Sequence, residues 1–101
     1  MKTNIVYPLA GLLLGSLAGT SAQARTGEEL YTQYCTTCHT IGVANAPKKG
    51  DAEAWAPRKA KGMPAMIEQA KKGLNAMPPK GLCMDCTDQE LEAAIKFMLG
   101  E

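Results

Sequence analysis

Five consecutive residues, Cys35-Thr36-Thr37-Cys38-His39, limit this chain more than any other part of its sequence, and they contain its only histidine. The pattern C-x-x-C-H is the attachment sequence of a c-type haem. The two cysteine sulfurs add to the two haem vinyl groups, and one helical turn lets both sulfurs reach them. His39 follows directly and points its imidazole at the iron from the same side. The segment therefore predicts one haem held at three points.

Two other interpretations of this segment agree less well with the rest of the chain. A disulfide between Cys35 and Cys38 would make His39 a bystander. A zinc site would need the second cysteine pair, Cys83 and Cys86, but four cysteines and one histidine are one ligand too many for tetrahedral zinc. An oxidising compartment outside the cytoplasm also disfavours thiolate ligands.

The N-terminal residues indicate export. A positively charged start and a short apolar stretch are followed by Ala22-Gln23-Ala24, an Ala-x-Ala cleavage site. We therefore predict a signal peptide over residues 1–24, a periplasmic protein, and one haem-binding domain over residues 25–101. The alternative is that the segment stays uncleaved as an anchor. The apolar stretch is shorter than the ~20 residues of a membrane span and contains proline and glycine, so no stable span is expected.

The predicted domain is small and has no net charge. Residues 25–101 number 77, and a chain of that size buries only ~60 % of its surface. Two domains, or a large enzyme built around a deep cleft, are thereby excluded. Ten basic and ten acidic residues give no basic excess, so no nucleic-acid partner is expected.

The charge is nevertheless distributed unevenly along the chain. Residues 47–72 contain seven basic and three acidic residues, and residues 83–101 contain one basic and five acidic residues. The segments carry net charges of +4 and −4. One interpretation is two solvated helix faces, and the other is a dipolar molecule that orients before it docks.

Apolar periodicity and capping signals predict three or four helices and no strand. The first helix begins at a capping box, Thr26 to Glu29, and runs into Cys35. Residues 51–56 form at most a short turn that a proline breaks. A further helix covers Met63–Lys72, and the last begins at a second capping box, Thr87 to Glu90. The predicted apolar stripe of the last helix is Leu91, Ala94, Ile95 and Met98, with Phe97 beside it.

The small number of aromatic and aliphatic side chains makes the core of this domain incomplete. Aromatic residues are only 5 % of the chain. A planar apolar haem would supply the missing volume, so the protein without haem is predicted to be poorly folded.

The sixth iron ligand determines what such a haem does. A methionine opposite His39 gives electron transfer at a raised potential, whereas a vacant position gives ligand binding or activation. Met77 lies in a loop, Asn75–Gly81, in which two consecutive prolines keep the chain extended and stiff. A stiff loop protects a weak bond between iron and a thioether sulfur. We expect Met77 as the ligand, with Met63 and the absence of a methionine ligand as the alternatives.

These residues resemble those of a class I cytochrome c, and more narrowly the cytochrome c-5 group, over nearly all of residues 25–101. The segments that carry the resemblance are Cys35–His39, Gly42–Lys48, Gly50-Asp51, Trp55–Arg58, Asn75–Gly81 and Cys83–Ile95. The resemblance implies an all-α, cytochrome c-like fold in which three to four helices surround one covalently bound haem c. It also implies His39 and Met77 as the axial ligands.

The resemblance assigns roles to residues around the haem. The carbonyl of Pro47 is expected to accept the proton on the far nitrogen of His39, which fixes the ring and makes it more electron-rich. Trp55 and Arg58 match positions near the haem propionates, although a core tryptophan and a solvated arginine are the alternatives. Gly27 is expected to let the last helix cross closely. Tyr31 follows Gly27 by four residues, and Phe97 is expected to be its partner ring.

The second cysteine pair, Cys83 and Cys86, is not followed by a histidine and so is not a second haem site. Export favours a disulfide, and so does the resemblance, because the c-5 group carries one at this place. The alternative is an active redox dithiol of the thioredoxin kind. No β-α-β pattern surrounds the pair.

The resemblance implies a one-electron carrier and not an enzyme. Its expected partners are membrane and periplasmic redox proteins of a respiratory chain, which dock transiently at the haem edge. The chain itself is expected to be a monomer or to self-associate weakly. Alternatives are a gas-binding or enzymatic haem protein with a displaceable sixth ligand, and a thiol–disulfide protein that uses Cys83 and Cys86. The expected docking residues are Lys48, Lys49, Lys59, Lys61 and Lys80.

Overall fold

A computed structural model describes residues 24–101, and within them the chain is helical and forms no strand. This agrees with the predicted all-α class. The five α-helices of this part of the chain are α1 (Gly27–Leu30), α2 (Thr36–His39), α3 (Ala52–Lys59), α4 (Met63–Lys72) and α5 (Asp88–Leu99). A π-helical turn, Tyr31–Cys35, joins α1 to α2, and short 3-10 turns cover Val43–Asn45 and Pro79–Leu82.

Both predicted capping boxes are present. Thr26 Oγ1 accepts from the amide of Glu29 at 3.1 Å, and Glu29 Oε1 accepts from the amide of Thr26 at 2.7 Å. Thr87 and Glu90 repeat the arrangement at the start of α5, with both bonds at 3.1 Å. Each box satisfies two amides that a helix start leaves without a partner, so the sequence places both starts correctly.

The prediction of a short broken turn over residues 51–56 is wrong, because α3 continues through Pro57 to Lys59. Proline removes one backbone donor from the helix. That loss is offset at the other end of α3, where Asp51 Oδ1 caps the amide of Ala54 at 3.3 Å. Trp55 also anchors the helix, since it is only 6 % exposed.

The N-terminal helical segment packs closely across α5. A Cβ atom built on Gly27 would lie 2.1 Å from the carbonyl oxygen of Ala93, so only glycine allows this approach. One turn later the rings of Tyr31 and Phe97 lie 5.4 Å apart between centroids, which confirms the predicted aromatic pair. The crossing therefore aligns the helix that leads into Cys35–His39 against α5.

Three groups of buried side chains form the core between these helices. One contains the second cysteine pair, and its members are Leu30, Cys83, Cys86, Leu91 and Ala94. A second contains Tyr31, Trp55 and Met98. The third joins α4 to α5 and contains Met66, Ala70 and Ile95. The predicted stripe of α5 is buried as expected.

The predicted signal peptide, residues 1–24, lies outside the described residues except for Ala24. None of the helices described is long and apolar enough to cross a membrane.

Candidate haem site

The C-x-x-C-H residues lie where the π-helical turn passes into α2. Cys35 is the last residue of that turn, and Cys38 and His39 belong to α2. In the part of the chain that the structure covers, neither Cys35 nor Cys38 forms a disulfide. Burial, with a smaller effect of Cys38, raises the pKa of the Cys35 thiol to about 11. Cys35 therefore lacks the low pKa of a redox-active cysteine.

The imidazole of His39 is buried and held by one ring nitrogen. Its Nδ1–H donates to the carbonyl oxygen of Pro47 at 2.8 Å, the contact that the family resemblance implies. His39 is 8 % exposed, and its Nε2 makes no hydrogen bond to another described residue. A buried nitrogen with a free lone pair, fixed through the opposite nitrogen, fits an axial iron ligand.

Trp55 lies against His39 on the core side. The two rings are nearly parallel, at 22°, with centroids 5.9 Å apart. The indole Nε1–H donates to the carbonyl oxygen of Lys48 at 2.8 Å. Arg58, the other predicted propionate neighbour, donates from Nη1 to the carbonyl oxygen of Ala54 at 2.7 Å within α3. The single indole donor is thus used inside the protein, whereas the guanidinium has further donors.

Met77 lies in a tight loop directly after α4. Leu74 and Met77 exchange two backbone hydrogen bonds of 3.1 and 2.8 Å, and Asn75 between them has a positive φ of 53°. A Cβ atom on Gly73 would lie 2.7 Å from the carbonyl oxygen of Met77. Met77 is half-buried against the Met66–Ala70–Ile95 group, and Met63 borders the same group. These contacts constrain the loop before Met77. After Met77, Pro78 is extended as predicted, but a 3-10 turn begins at Pro79, so the predicted extension does not continue through the second proline.

Several large apolar side chains are exposed on the loops after His39 and around Met77. Their exposed fractions are 70 % for Ile41, 44 % for Val43, 48 % for Leu74 and 67 % for Leu82. Large apolar side chains are thus exposed close in sequence to both His39 and Met77. Together with the orphaned Nε2 of His39, this exposure fits a flat apolar group such as haem.

The second cysteine pair is part of the core. The structure joins Cys83 and Cys86 by an S–S bond of 2.01 Å, and their exposed fractions are 1 % and 4 %. They pack against Leu30 and against Leu91 of α5. This burial agrees with a structural role and leaves little access for a redox partner.

Sequence reasoning missed the backbone contacts that hold the loop after His39. The amide of Lys49 donates to the carbonyl oxygen of His39 at 2.7 Å, and the amide of Gly50 donates to that of Met98 in α5, also at 2.7 Å. Such bonds are formed by main-chain atoms, which every residue has. No pattern of residue types therefore predicts them.

The five predicted docking lysines differ in their surroundings. Lys59 pairs with Glu101 at 2.8 Å, Lys49 lies 4.8 Å from the centroid of the Phe97 ring, and Lys80 donates to the carbonyl oxygen of Cys86 at 3.2 Å. Lys48 and Lys61 are exposed, and neither side chain has a charged partner among the described residues. Three of the five lysines thus have side-chain contacts within the protein. Lys48 and Lys61 are the two available lysines.

Comparison with known proteins gives consistent relatives. The family model described as Cytochrome C oxidase, cbb3-type, subunit III matches residues 22–98. Cytochrome c5 of Azotobacter vinelandii is 52 % identical over 79 residues, which cover 76 % of this chain and 95 % of that protein.

Solved structures support the same fold. A mono-haem ferrocytochrome c from Shewanella putrefaciens is 49 % identical with a TM-score of 0.69, over 76 % of this chain and 95 % of that one. A chain in the crystal structure of an electron transfer complex of nitrite reductase with cytochrome c is 44 % identical, also with a TM-score of 0.69. That match covers 77 % of this chain and 96 % of the other.

Proposed function

The chain belongs to the monohaem class I c-type cytochromes, which carry electrons on one covalent haem c, and we propose that it shuttles single electrons between respiratory-chain partners in the periplasm. The observation that carries the proposal is His39. A buried imidazole, bonded through Nδ1 to Pro47 and open at Nε2, directly follows two cysteines that form no disulfide in the described residues. This is the arrangement that covalent attachment of a c-type haem with a histidine ligand requires.

We propose that Cys35 and Cys38 provide the thioether bonds and that His39 and Met77 are the axial ligands. Pro47 and Trp55 belong to the pocket on the His39 side, and the remaining donors of Arg58 are proposed for a haem propionate. The haem supplies one-electron chemistry at its iron, while these residues fix its ligands and limit its access to water. A proposed disulfide between Cys83 and Cys86 holds the turn before α5.

The proposal includes the processing of the chain. Cleavage after Ala24 would remove residues 1–24 and release the domain of residues 25–101 into the periplasm. The short apolar segment and the cleavage site in the sequence support this. Retention of the segment as an anchor would keep the same domain at the membrane surface.

Partners are proposed to be a membrane electron donor and a periplasmic acceptor that dock briefly, with the chain itself a monomer or weakly self-associating. The similar structure in complex with nitrite reductase is an electron transfer complex, which supports docking of this kind. Neither an enzymatic reaction nor a nucleic-acid partner is part of the proposal.

Visible spectroscopy on protein expressed in a bacterial periplasm tests this function. We expect a reduced-minus-oxidised spectrum of a c-type haem, a weak far-red methionine–iron band in the ferric state, and little binding of carbon monoxide by the reduced protein. Mass spectrometry of the same sample should give the mass of residues 25–101 plus one haem.

Two matched methionine variants identify the sixth ligand. Met77→Ala should abolish the far-red band and allow carbon monoxide to bind, whereas Met63→Ala should keep the band. Loss of the band in Met63→Ala alone would transfer the assignment to Met63. A wild-type protein without the band that binds carbon monoxide readily would favour the gas-binding or enzymatic alternative. Loss of electron transfer on disruption of Cys83–Cys86 would favour the thiol–disulfide alternative.

A further inference from the structure

The loop after His39 is attached to its surroundings at four consecutive positions. The carbonyl of Pro47 accepts from His39 Nδ1, and the carbonyl of Lys48 accepts from Trp55 Nε1, each at 2.8 Å. The amide of Lys49 donates to the His39 carbonyl, and that of Gly50 donates to Met98, each at 2.7 Å. The acceptor that orients His39 is therefore positioned by its neighbours in sequence.

Trp55 is unusual in this arrangement because it acts on both parts of the His39–Pro47 pair. Its ring lies nearly parallel to the imidazole, and its Nε1–H holds the peptide group next to the Pro47 carbonyl. Adjacent peptide groups share a Cα atom, and each is planar, so restraining the Lys48 carbonyl limits the orientation of the Pro47 carbonyl as well.

Trp55 itself has little freedom to move. It is 6 % exposed, and it packs with Tyr31 and Met98 in one buried group. It also lies in the first turn of α3, which Asp51 caps. Because Trp55 is fixed by α3 and by its packing against α5, its ring gives the imidazole a contact surface in a defined position.

We propose that Trp55 is a positioning residue that sets the plane of the His39 imidazole and the electron density that the ring gives to a metal, through ring contact and through the Lys48 carbonyl. This rests on the proposed role of His39 as an axial ligand. The strength of the Nδ1–H bond to Pro47 governs how much electron density the imidazole gives to a metal. If the Pro47 carbonyl is held less firmly, the imidazole gives less electron density to the metal. The ferric state is then stabilised less, so the reduction potential rises.

Two substitutions separate the two actions of Trp55 in the holoprotein. Trp55→Phe keeps an aromatic ring and removes the Nε1–H, so we expect a raised reduction potential and faster solvent exchange of the His39 Nδ1–H proton. Trp55→Leu removes the ring as well, so we also expect altered g-values of the ferric haem and an altered pattern of haem-methyl proton shifts. These signals report the orientation of the axial ligand planes.

Phe97→Leu is the matched control. Phe97 borders the same buried group and contacts the side chains of Tyr31 and Lys49, whereas Trp55 contacts the His39 ring and the Lys48 carbonyl. We expect it to lower thermal stability while it leaves the potential, the g-values and the Nδ1–H exchange of the wild type. If Trp55→Leu does not fold, Trp55→Phe decides the question through potential and proton exchange.

Unchanged potential and Nδ1–H exchange in Trp55→Phe would overturn the proposal, as would equal shifts in Phe97→Leu. The proposed function fails separately, on the wild-type protein alone, if its ferric spectrum lacks the signature of histidine and methionine ligation.

Discussion

Arg25 and Glu90 are joined by three hydrogen bonds across 65 positions of sequence. The backbone amide and Nε of Arg25 donate to Oε2 of Glu90 at 3.0 and 3.1 Å, and Nη2 donates to Oε1 at 3.1 Å. A second contact from Nη2 reaches Asp85 at 3.1 Å. Glu90 is only 6 % exposed, so the first residue of the predicted domain is fastened to the start of α5 through a buried carboxylate.

Glu90→Gln should make the protein less stable at neutral pH and less sensitive to acid. Hydrogen bonds from Arg25, and then from Thr87, lower the pKa of Glu90 from 4.5 to about 2. Because the folded pKa is depressed, the stabilisation is complete above pH 4.5 and is lost as the pH falls towards 2. Thermal unfolding followed by circular dichroism measures the melting temperature at each pH. Between pH 4.5 and 2, the melting temperature of the variant should fall less steeply with decreasing pH than that of the wild type.

Glu92→Gln is the control for this experiment. Glu92 lies on the same helix and pairs with Lys96 at 3.1 Å, but the two side chains are 37 % and 49 % exposed. Exposed ion pairs of this kind contribute little to stability. The melting temperature of Glu92→Gln should therefore depend on pH in the same way as that of the wild type. Equal slopes in the wild type and in Glu90→Gln would contradict the assigned role of Glu90.

Gly27→Ala should destabilise the protein by about 1–3 kcal/mol, the range for overpacking in a well-packed core. The added Cβ would meet the carbonyl oxygen of Ala93 at 2.1 Å, so α5 must shift. Urea unfolding of the holoprotein measures the change. Glu28→Ala, at the next and exposed position of α1, is the control and should have little effect. A stabilised Gly27→Ala would mean that the two helices do not cross as described.

Reducing Cys83–Cys86 should lower stability without changing the visible spectrum. The closed loop is short, so chain entropy accounts for at most about 2 kcal/mol. The wild type is treated with a phosphine reductant, and mass spectrometry counts the thiols formed. A denaturant titration then measures the stability of the reduced protein. Cys83→Ala/Cys86→Ala serves as the control, since the same reductant should leave its stability unchanged. An altered visible spectrum after reduction would instead indicate that the turn helps to hold the iron ligands.

Removing the covalent attachment should unfold the domain. Cys35→Ala/Cys38→Ala retains every helix-forming residue but cannot form thioether bonds, so the haem that completes the apolar core is no longer retained covalently. We expect most of the helical circular dichroism signal to be lost relative to the Cys83→Ala/Cys86→Ala variant, which keeps the haem. A fully helical and cooperatively folding double variant would show that the polypeptide core suffices by itself.

Electron exchange with an anionic reagent should depend on the available lysines. We expect oxidation of the reduced protein by ferricyanide to slow as salt increases, because exposed charges are screened beyond about 10 Å at 0.1 M ionic strength. Lys48→Glu/Lys61→Glu should lower the rate by about 2- to 10-fold at low salt. Lys96→Glu, in the acidic C-terminal part, is the control. A rate independent of salt in the wild type would exclude electrostatic docking through these lysines.

The sequence alone determined the features that depend on local spacing. Cys35–His39 predicted the cofactor, because its attachment needs only five consecutive residues. Capping boxes at Thr26 and Thr87 predicted two helix starts, since each box closes within one turn. The close crossing at Gly27 and the contact between His39 and Pro47 were expected from resemblance to a family in which the same residues stand at the same places.

Other features were decided only by tertiary structure. Pro57 remains inside α3 because the capped start of the helix and buried Trp55 outweigh one missing hydrogen bond. The position of Trp55 over His39 and the pairing of Arg25 with Glu90 join residues that no local pattern relates. Contacts of this kind depend on the three-dimensional path of the chain, whereas caps and attachment motifs depend on a single helical turn.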